Sequence, residues 1–132
     1  MNNMTNAATL AYVGDAVYEL LLRRHLICSG IGDTGRLTAE GQKYACAPFQ
    51  SAAYDKIMPH LTEEETGIFK RGRNANSTAR PKNATISEYR RATGLEALFG
   101  HLFLSDQTSR VQQLFDIILG CEIRNAERET RN

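Results

Sequence analysis

The chain has 132 residues, of which 42% are hydrophobic and 23% are charged. These proportions predict a single folded domain, with a core over about residues 6–120 and a polar tail over 121–132. Charged side chains interrupt the longest apolar stretch well before the roughly 20 residues that a membrane span needs, so no membrane association is expected. The polar start MNNMTNAAT has no basic segment of the kind that opens a secretory leader, and we expect a cytoplasmic protein.

The basic residues are concentrated in one segment, although the net charge of the chain is only +1. Residues 70–91, KRGRNANSTARPKNATISEYRR, carry a net charge of +6, which leaves −5 for the remainder. Such an asymmetry favours a surface for a polyanion, and a solvated basic loop explains the composition equally well. The basic positions are Lys70, Arg71, Arg73, Arg80, Lys82, Arg90 and Arg91.

The three cysteines, Cys28, Cys46 and Cys121, are odd in number and widely spaced, with no C-x-x-C pair. No histidine stands beside them at the spacing of a zinc site. Because free cysteine is usually buried, we predict that all three are reduced thiols within the core. A catalytic thiol would need a nearby histidine and a cationic pocket, and the sequence indicates neither.

Apolar residues recur at three- and four-residue steps, and the sequence shows no sustained strand-like alternation, so an all-α fold is predicted. A first helix begins near residue 6 and stops at Gly30; it is apolar on nearly every side and is expected to lie centrally, with Leu20 and Cys28 among its apolar positions. A second helix is predicted over about 36–45. A third begins with Pro48 in its first turn and ends near residue 58.

Three further helices follow. Thr62 with Glu65 predicts a capping box at the start of the fourth helix, which ends near residue 74. The stretch 75–86 has a loop composition. The fifth helix begins near Ser87 and is expected to be central, like the first. The sixth covers about 108–119 and stops at Gly120.

Two acidic residues conflict with an apolar helical core, which makes them candidates for function. Asp15 lies in LAYVGDAVYELLL and Glu96 in ATGLEALFGHLFL, where an ionised carboxylate without a partner is costly. If the two central helices cross at these positions, the acids come together, and a shared Mg²⁺ relieves their repulsion. The alternative for either acid alone is an ion pair with a nearby arginine, for which the candidates are Arg23, Arg24, Arg90 and Arg91.

These motifs carry a resemblance to a known family. AYVGDAVYELLLRR resembles the signature helix of ribonuclease III catalytic domains, and TGLEALFGHLFL resembles their second acidic motif. The connecting FKRGRNANSTARPKNATISEYRRATG is similar to that of the Mini-III ribonucleases, a branch without a double-stranded-RNA-binding domain. The resemblance covers about residues 10–119. Ala11 and Thr93 stand where the broader family has acids, a thinner set that the Mini-III branch shares.

The resemblance implies an all-α, homodimeric endonuclease that depends on Mg²⁺, with Mn²⁺ as an alternative ion. It implies cleavage of double-stranded RNA to leave 5′-phosphate and 3′-hydroxyl ends. The implied substrate is the precursor of large-subunit (23S) ribosomal RNA, with a large-subunit ribosomal protein as a further partner. Carried over by position, Asp15 and Glu96 are the implied catalytic residues and metal ligands. The number of metal ions per site stays open.

This implied substrate assigns a role to the basic segment. The base edges of A-form RNA lie in a deep, narrow groove, so a duplex cutter contacts phosphates and 2′-hydroxyls. The alternative is a non-catalytic RNA-binding or ribosome-assembly module that uses the same basic surface. The residues predicted to contact RNA are Lys70, Arg71, Arg73, Asn74, Lys82 and Arg90.

Other polar residues near these motifs are expected to be structural. Glu19, one turn after Asp15, is predicted to pair with Arg23. Tyr44 and Tyr89 are predicted to pack in the core rather than to contact RNA. The three histidines show no paired spacing and are expected to be structural or on the surface.

Overall fold

The structure is a computed structural model and describes residues 5–75 and 82–120. Within these residues there are six α-helices and one short 3₁₀ helix, and no strand, so the predicted all-α fold is confirmed. In this part of the chain no helix is both long enough and apolar enough to cross a membrane. The elements are α1 (Ala7–Cys28), α2 (Thr34–Ala45), α3 (Ala47–Ile57), the 3₁₀ turn Met58–His60, α4 (Glu63–Arg73), α5 (Ile86–Leu104) and α6 (Thr108–Leu119).

Local signals set the helix ends close to their predicted positions. The side chain of Asn6 caps α1 by accepting the backbone N–H of Thr9 at 2.9 Å. Gly120 ends α6 with φ +72°, a backbone conformation that favours glycine. α2 begins two residues earlier than predicted because Asp33 caps it by accepting the N–H of Arg36 at 2.9 Å.

Capping boxes begin α4 and α5. The predicted box in α4 is confirmed, because the side chains of Thr62 and Glu65 each accept the other's backbone N–H, at 3.1 and 2.9 Å. Thr85 and Glu88 form the same arrangement, at 3.0 and 2.9 Å. This second box places the start of α5 at Ile86, one residue before the predicted start.

α5 is the central helix, as predicted, and α1, α3 and α4 pack on it. The ring of Tyr18 in α1 lies between Phe99 of α5 and Phe115 of α6, with centroids 5.8 and 5.6 Å apart. Tyr54 of α3 stacks on Phe69 of α4 at 3.5 Å. The inner faces of the five helices that carry these aromatic residues form one core. The remaining helix, α2, packs on α1 and α3.

A buried ion pair fixes α4 against α6. Arg110 donates to both carboxylate oxygens of Glu65 at 2.8 Å and to the carbonyl of His60 at 2.7 Å. The hydrogen bond from Arg110 holds the pKa of Glu65 below its ordinary value. Glu65 therefore serves both its own helix cap and the packing of a second helix.

Two predictions about buried positions are wrong. Leu20 is 68% exposed, because the core covers only one side of α1. Cys28 and Cys46 are also exposed, since both lie at helix ends where the chain turns at the surface. Cys121 lies outside the described residues.

Candidate active site

α1 and α5 cross with their backbones in contact. A Cβ atom added to Gly14 would stand 1.6 Å from the carbonyl oxygen of Glu96, and one added to Gly100 would stand 1.9 Å from that of Leu10. No larger residue fits at either position without separating the helices. The crossing of the two central helices that the sequence predicts at these acids is therefore present.

This crossing places Asp15 and Glu96 on the wall of one cleft. The carboxyl group of Asp15 is near enough to Glu96 to act on its charge. Burial, followed by the interaction with Asp15, raises the pKa of Glu96 to about 8. Because that pKa lies above 7, the pair holds a proton at neutral pH in the absence of a cation.

The two acids differ in their surroundings. Glu96 is half-buried, whereas Asp15 is exposed to the cleft. The expectation that both carboxylates lie among apolar side chains is therefore wrong for Asp15. Asp15 lies on the side of α1 that faces away from the core. Because the sequence of α1 is apolar on nearly every side, this orientation could not be predicted from it.

Three of the four arginines considered as alternative partners bond elsewhere. None of the three forms an ion pair with Asp15 or Glu96 within the described residues, so this alternative is wrong for them. The partners are Glu19 for Arg23 at 3.0 Å, Gln112 for Arg24, and Asp55 for Arg91 at 2.6 Å. The pair of Glu19 with Arg23 within α1 was predicted from the sequence and is confirmed.

We call this site the acid cleft; its volume is about 280 Å³, and α1, the end of α4 and α5 form its walls. Ala11 and Thr93 line it, so the two positions at which acids are missing belong to the site itself. The hydroxyl of Thr93 donates to the carbonyl of Tyr89 at 3.0 Å, which ties it to its own helix.

The donor set of the acid cleft fits one hard divalent cation. Mg²⁺ takes oxygen ligands and retains several waters, so the carboxylates of Asp15 and Glu96 together with a substrate phosphate satisfy it. A cation between them would replace the proton and offset the charge of Asp15, which after burial is the next cause of the raised pKa of Glu96. Among the described residues no group of three or more His, Cys, Asp or Glu side chains is placed to hold a metal, so these two acids are the candidates.

Comparisons with known proteins identify the family. Residues 8–107 match the model of the Ribonuclease III domain. The chain belongs to the ribonuclease III family. It is 43% identical to Mini-ribonuclease 3 of Brevibacillus brevis over 122 residues, which cover 89% of this chain and 91% of that protein. It is 40% identical to Mini-ribonuclease 3 of Streptococcus pneumoniae over 114 residues, covering 85% and 89%.

A solved structure extends this relationship to the fold. The crystal structure of protein FN1578 from Fusobacterium nucleatum matches with a TM-score of 0.82 at 29% identity, covering 94% of this chain and 95% of that chain. The predicted ribonuclease III-type helical fold and the resemblance to the Mini-III branch are therefore confirmed. As a member of this family, the protein is an endoribonuclease, a hydrolase of phosphodiester bonds.

Some of the basic residues of this ribonuclease III domain line a second depression beside the acid cleft. Lys70, Arg71 and Asn74 are exposed at the end of α4 and line a shallow groove of about 610 Å³. Ala8 and Ala75 line both this groove and the acid cleft, so the two are continuous. We call the shallow depression the outer groove.

The other predicted RNA contacts are more dispersed. Arg90 is exposed on the wall of the acid cleft itself. Arg73 is half-buried, and its Nε donates to Asn74 Oδ1 at 3.2 Å. Lys82 is exposed in the chain that leads to α5. Arg80 lies outside the described residues.

Two tyrosines of the acid cleft were not predicted from the sequence. Tyr89, predicted for the core, lines the acid cleft, and so does Tyr12, which is 82% exposed. Tyr12 stands three positions before Asp15, and residues three apart share one side of a helix, so the signal was available. Tyr44 packs edge-to-face on Phe49 at 5.1 Å, as predicted for a core residue.

The histidines keep the structural or surface positions predicted for them. His101 is buried in α5, and its Nε2 lies 3.4 Å from the carboxylate of Glu64. His60 is exposed, and its carbonyl accepts from Arg110. Within the part of the chain that the structure describes, no histidine lines the acid cleft.

Proposed function

We propose that the protein is a magnesium-dependent endoribonuclease that cleaves double-stranded RNA in the acid cleft, with Asp15 and Glu96 as catalytic residues and metal ligands. The observation that carries this proposal is the convergence of the two carboxylates, 81 positions apart in the sequence, on one cleft that opens to solvent. Their mutual repulsion favours occupation by a cation.

The reaction is hydrolysis of one phosphodiester bond. A water oxygen bonds to phosphorus and the P–O3′ bond breaks, which leaves 5′-phosphate and 3′-hydroxyl ends; water loses a proton to solvent and O3′ takes one up. When bound, Mg²⁺, or Mn²⁺ in its place, polarises the phosphate and acidifies water. Asp15 and Glu96 would hold the ion, and the proton on Glu96 would be released when the ion binds.

The basic residues beside the cleft are proposed to hold the duplex. Lys70, Arg71 and Asn74 line the outer groove, so a backbone that passes through the acid cleft continues along these side chains. Contacts to phosphate neutralise backbone charge, and binding therefore weakens steeply with salt. Arg73, half-buried at the end of α4, and Lys82, exposed before α5, are proposed to add further contacts to phosphate.

The similarity to the Mini-III ribonucleases suggests a specific natural substrate. We infer that the natural substrate is the precursor of large-subunit (23S) ribosomal RNA, processed in the cytoplasm, and that a large-subunit ribosomal protein takes part. Residues 1–132 would supply the catalytic domain for this reaction.

A homodimer is proposed as the active form. Leu20 and Phe103 are 68% and 44% exposed, and they line an apolar groove of about 530 Å³ between α1, α5 and α6. Val13 and Val17 of the central helix α1 line the same groove. A second copy that covers it would bury this apolar surface.

The test is cleavage of long duplex RNA by the purified protein, with and without Mg²⁺, followed by mapping of the fragment ends. Asp15→Asn and Glu96→Gln are each expected to abolish cleavage while circular dichroism stays unchanged. Glu19→Gln is the matched control, because Glu19 lies one turn along α1 and pairs with Arg23. Full activity in either acid variant contradicts the assignment. Binding without cleavage, indifferent to Mg²⁺, supports the non-catalytic RNA-binding or ribosome-assembly module.

A further inference from the structure

Two adjacent arginines of α5 have opposite environments. Arg91 donates to Asp55 at 2.6 Å and to the carbonyl of Ser51 at 2.9 Å, and its guanidinium lies 5.2 Å from the centre of the Tyr54 ring. These contacts all lead to α3. Arg91 therefore has a structural role, which joins the central helix to its neighbour.

Arg90 makes none of these contacts. Its side chain is exposed on the wall of the acid cleft, and it forms no hydrogen bond or ion pair with another described residue. A guanidinium carries five donors and its charge persists at any physiological pH. Its hydrogen-bonding capacity is thus free on the side of α5 that faces the cleft.

Arg90 and the two acids line one cleft without forming an ion pair with one another. Arg90 and Glu96 are six residues apart on one helix, which corresponds to about 9 Å along the helix axis. Asp15, Glu96 and Arg90 line the same cleft, yet neither carboxylate pairs with the guanidinium within the described residues. The cleft therefore carries two acids, which suit a cation, and an unpaired guanidinium, which suits a phosphate oxygen.

We propose that Arg90 is a catalytic residue whose guanidinium donates hydrogen bonds to a non-bridging oxygen of the scissile phosphate. This proposal rests on the proposed function and adds to it a second source of positive charge on the reacting group. As water attacks phosphorus, negative charge grows on the non-bridging oxygens, and fixed donors placed there lower the barrier. Planar guanidinium matches two phosphate oxygens, a geometry that lysine does not reproduce.

This role differs from that of the cations in the outer groove. Lys70 and Arg71 lie beyond the acid cleft, at the end of α4, where they are placed to contact phosphates that flank the scissile one. Such contacts strengthen binding equally before and during the reaction, so they affect affinity and not the rate of the bound complex. The two classes of cation are therefore separable by kinetics.

The experiment is single-turnover cleavage of a defined RNA duplex in Mg²⁺, with enzyme in excess over a range of concentrations. Arg90→Ala is expected to lower the rate at saturating enzyme by about 100-fold or more, with the half-saturating concentration changed by less than about 3-fold. Lys70→Ala is expected to raise the half-saturating concentration and to leave the rate at saturating enzyme nearly unchanged. It is also expected to reduce the slope of log affinity against log salt by about one. Arg36→Ala, which removes an exposed charge from α2, is the control for net charge.

Two further measurements separate a catalytic role from a structural one. Arg90→Lys is expected to recover part of the lost rate, and added guanidinium ion is expected to recover part of the rate of Arg90→Ala, with circular dichroism unchanged in both variants. A normal saturating rate in Arg90→Ala overturns this proposal alone and makes Arg90 a binding residue. Wild-type protein that binds duplex RNA without cleaving it overturns the proposed function as well.

Discussion

Gly14 of α1 lies directly against the backbone carbonyl of Glu96 in α5, and a Cβ at Gly14 would stand 1.6 Å from that oxygen. The position of α1, which carries Asp15, therefore sets the backbone position of Glu96. Contact between two backbones is less adaptable than contact between side chains, since neither surface can change rotamer. The relative placement of Asp15 and Glu96 depends on this contact.

We expect Gly14→Ala to destabilise the fold and to abolish cleavage, because the added methyl group pushes α5 and its acid away from α1. Thermal unfolding by circular dichroism and cleavage of duplex RNA measure the two effects. Gly67→Ala is the matched control: Gly67 also lies within a helix, α4, and a Cβ there meets nothing within 4 Å. That control is expected to retain activity and to gain up to about 1 kcal/mol in stability. If Gly14→Ala has the stability and the cleavage activity of wild type, the site does not depend on close contact between α1 and α5.

The metal-free protein is expected to lose stability as pH rises from 5 to 9. The pKa of Glu96 is about 8 in the folded protein and 4.5 in the ordinary group, so between these values the folded state binds more protons than the unfolded state. The free energy of unfolding therefore falls with rising pH in this window. Glu96→Gln removes the effect, and Asp15→Asn reduces it.

Melting temperatures in EDTA across this pH range test the linkage. The melting temperature of Glu96→Gln minus that of wild type is expected to increase toward pH 9, and to be smallest at pH 5. A difference that stays constant with pH would mean that Glu96 titrates alike in the folded and unfolded chains.

Arg110→Ala is expected to destabilise the protein by about 3 kcal/mol, because it leaves the buried carboxylate of Glu65 without its ion-pair partner. Arg110 holds the pKa of Glu65 below its ordinary value, so this stabilisation is present above that value and is lost as pH falls through the lowered pKa. Urea unfolding at pH 7 and at pH 3 measures both parts. Lys43→Ala, which breaks an exposed pair with Glu40, is the control and is expected to change stability little. An equal loss in the two variants would contradict a special role for Glu65.

Leu20→Glu and Phe103→Asp are each expected to convert the proposed dimer into a folded monomer, since a charge in the apolar groove opposes burial of its surface. Light scattering after size-exclusion chromatography gives the mass of each species. Met58→Gln is the control, because Met58 is 50% exposed and lies away from the groove, in the turn after α3. A monomeric wild type at the concentrations used for cleavage would contradict the homodimer.

Local sequence signals determined the elements of this protein. The capping box of Thr62 with Glu65 and the stop at Gly120 act within one or two turns, so they are readable without a structure. The two acids were equally visible, because Asp15 and Glu96 interrupt helical patterns that are otherwise apolar. The family resemblance rests on the same short segments.

Only the tertiary structure decided which sides of these helices face the core, the solvent or the cleft. Arg90 and Arg91 are neighbours in sequence, yet about 100° of rotation around α5 separates a cleft residue from an ion pair with α3. The exposure of Leu20 and the raised pKa of Glu96 likewise depend on which helices pack together. Burial and electrostatic interactions arise between segments that are distant in the chain. A local sequence pattern therefore identifies candidate residues, whereas the packing of α1 on α5 determines their surroundings.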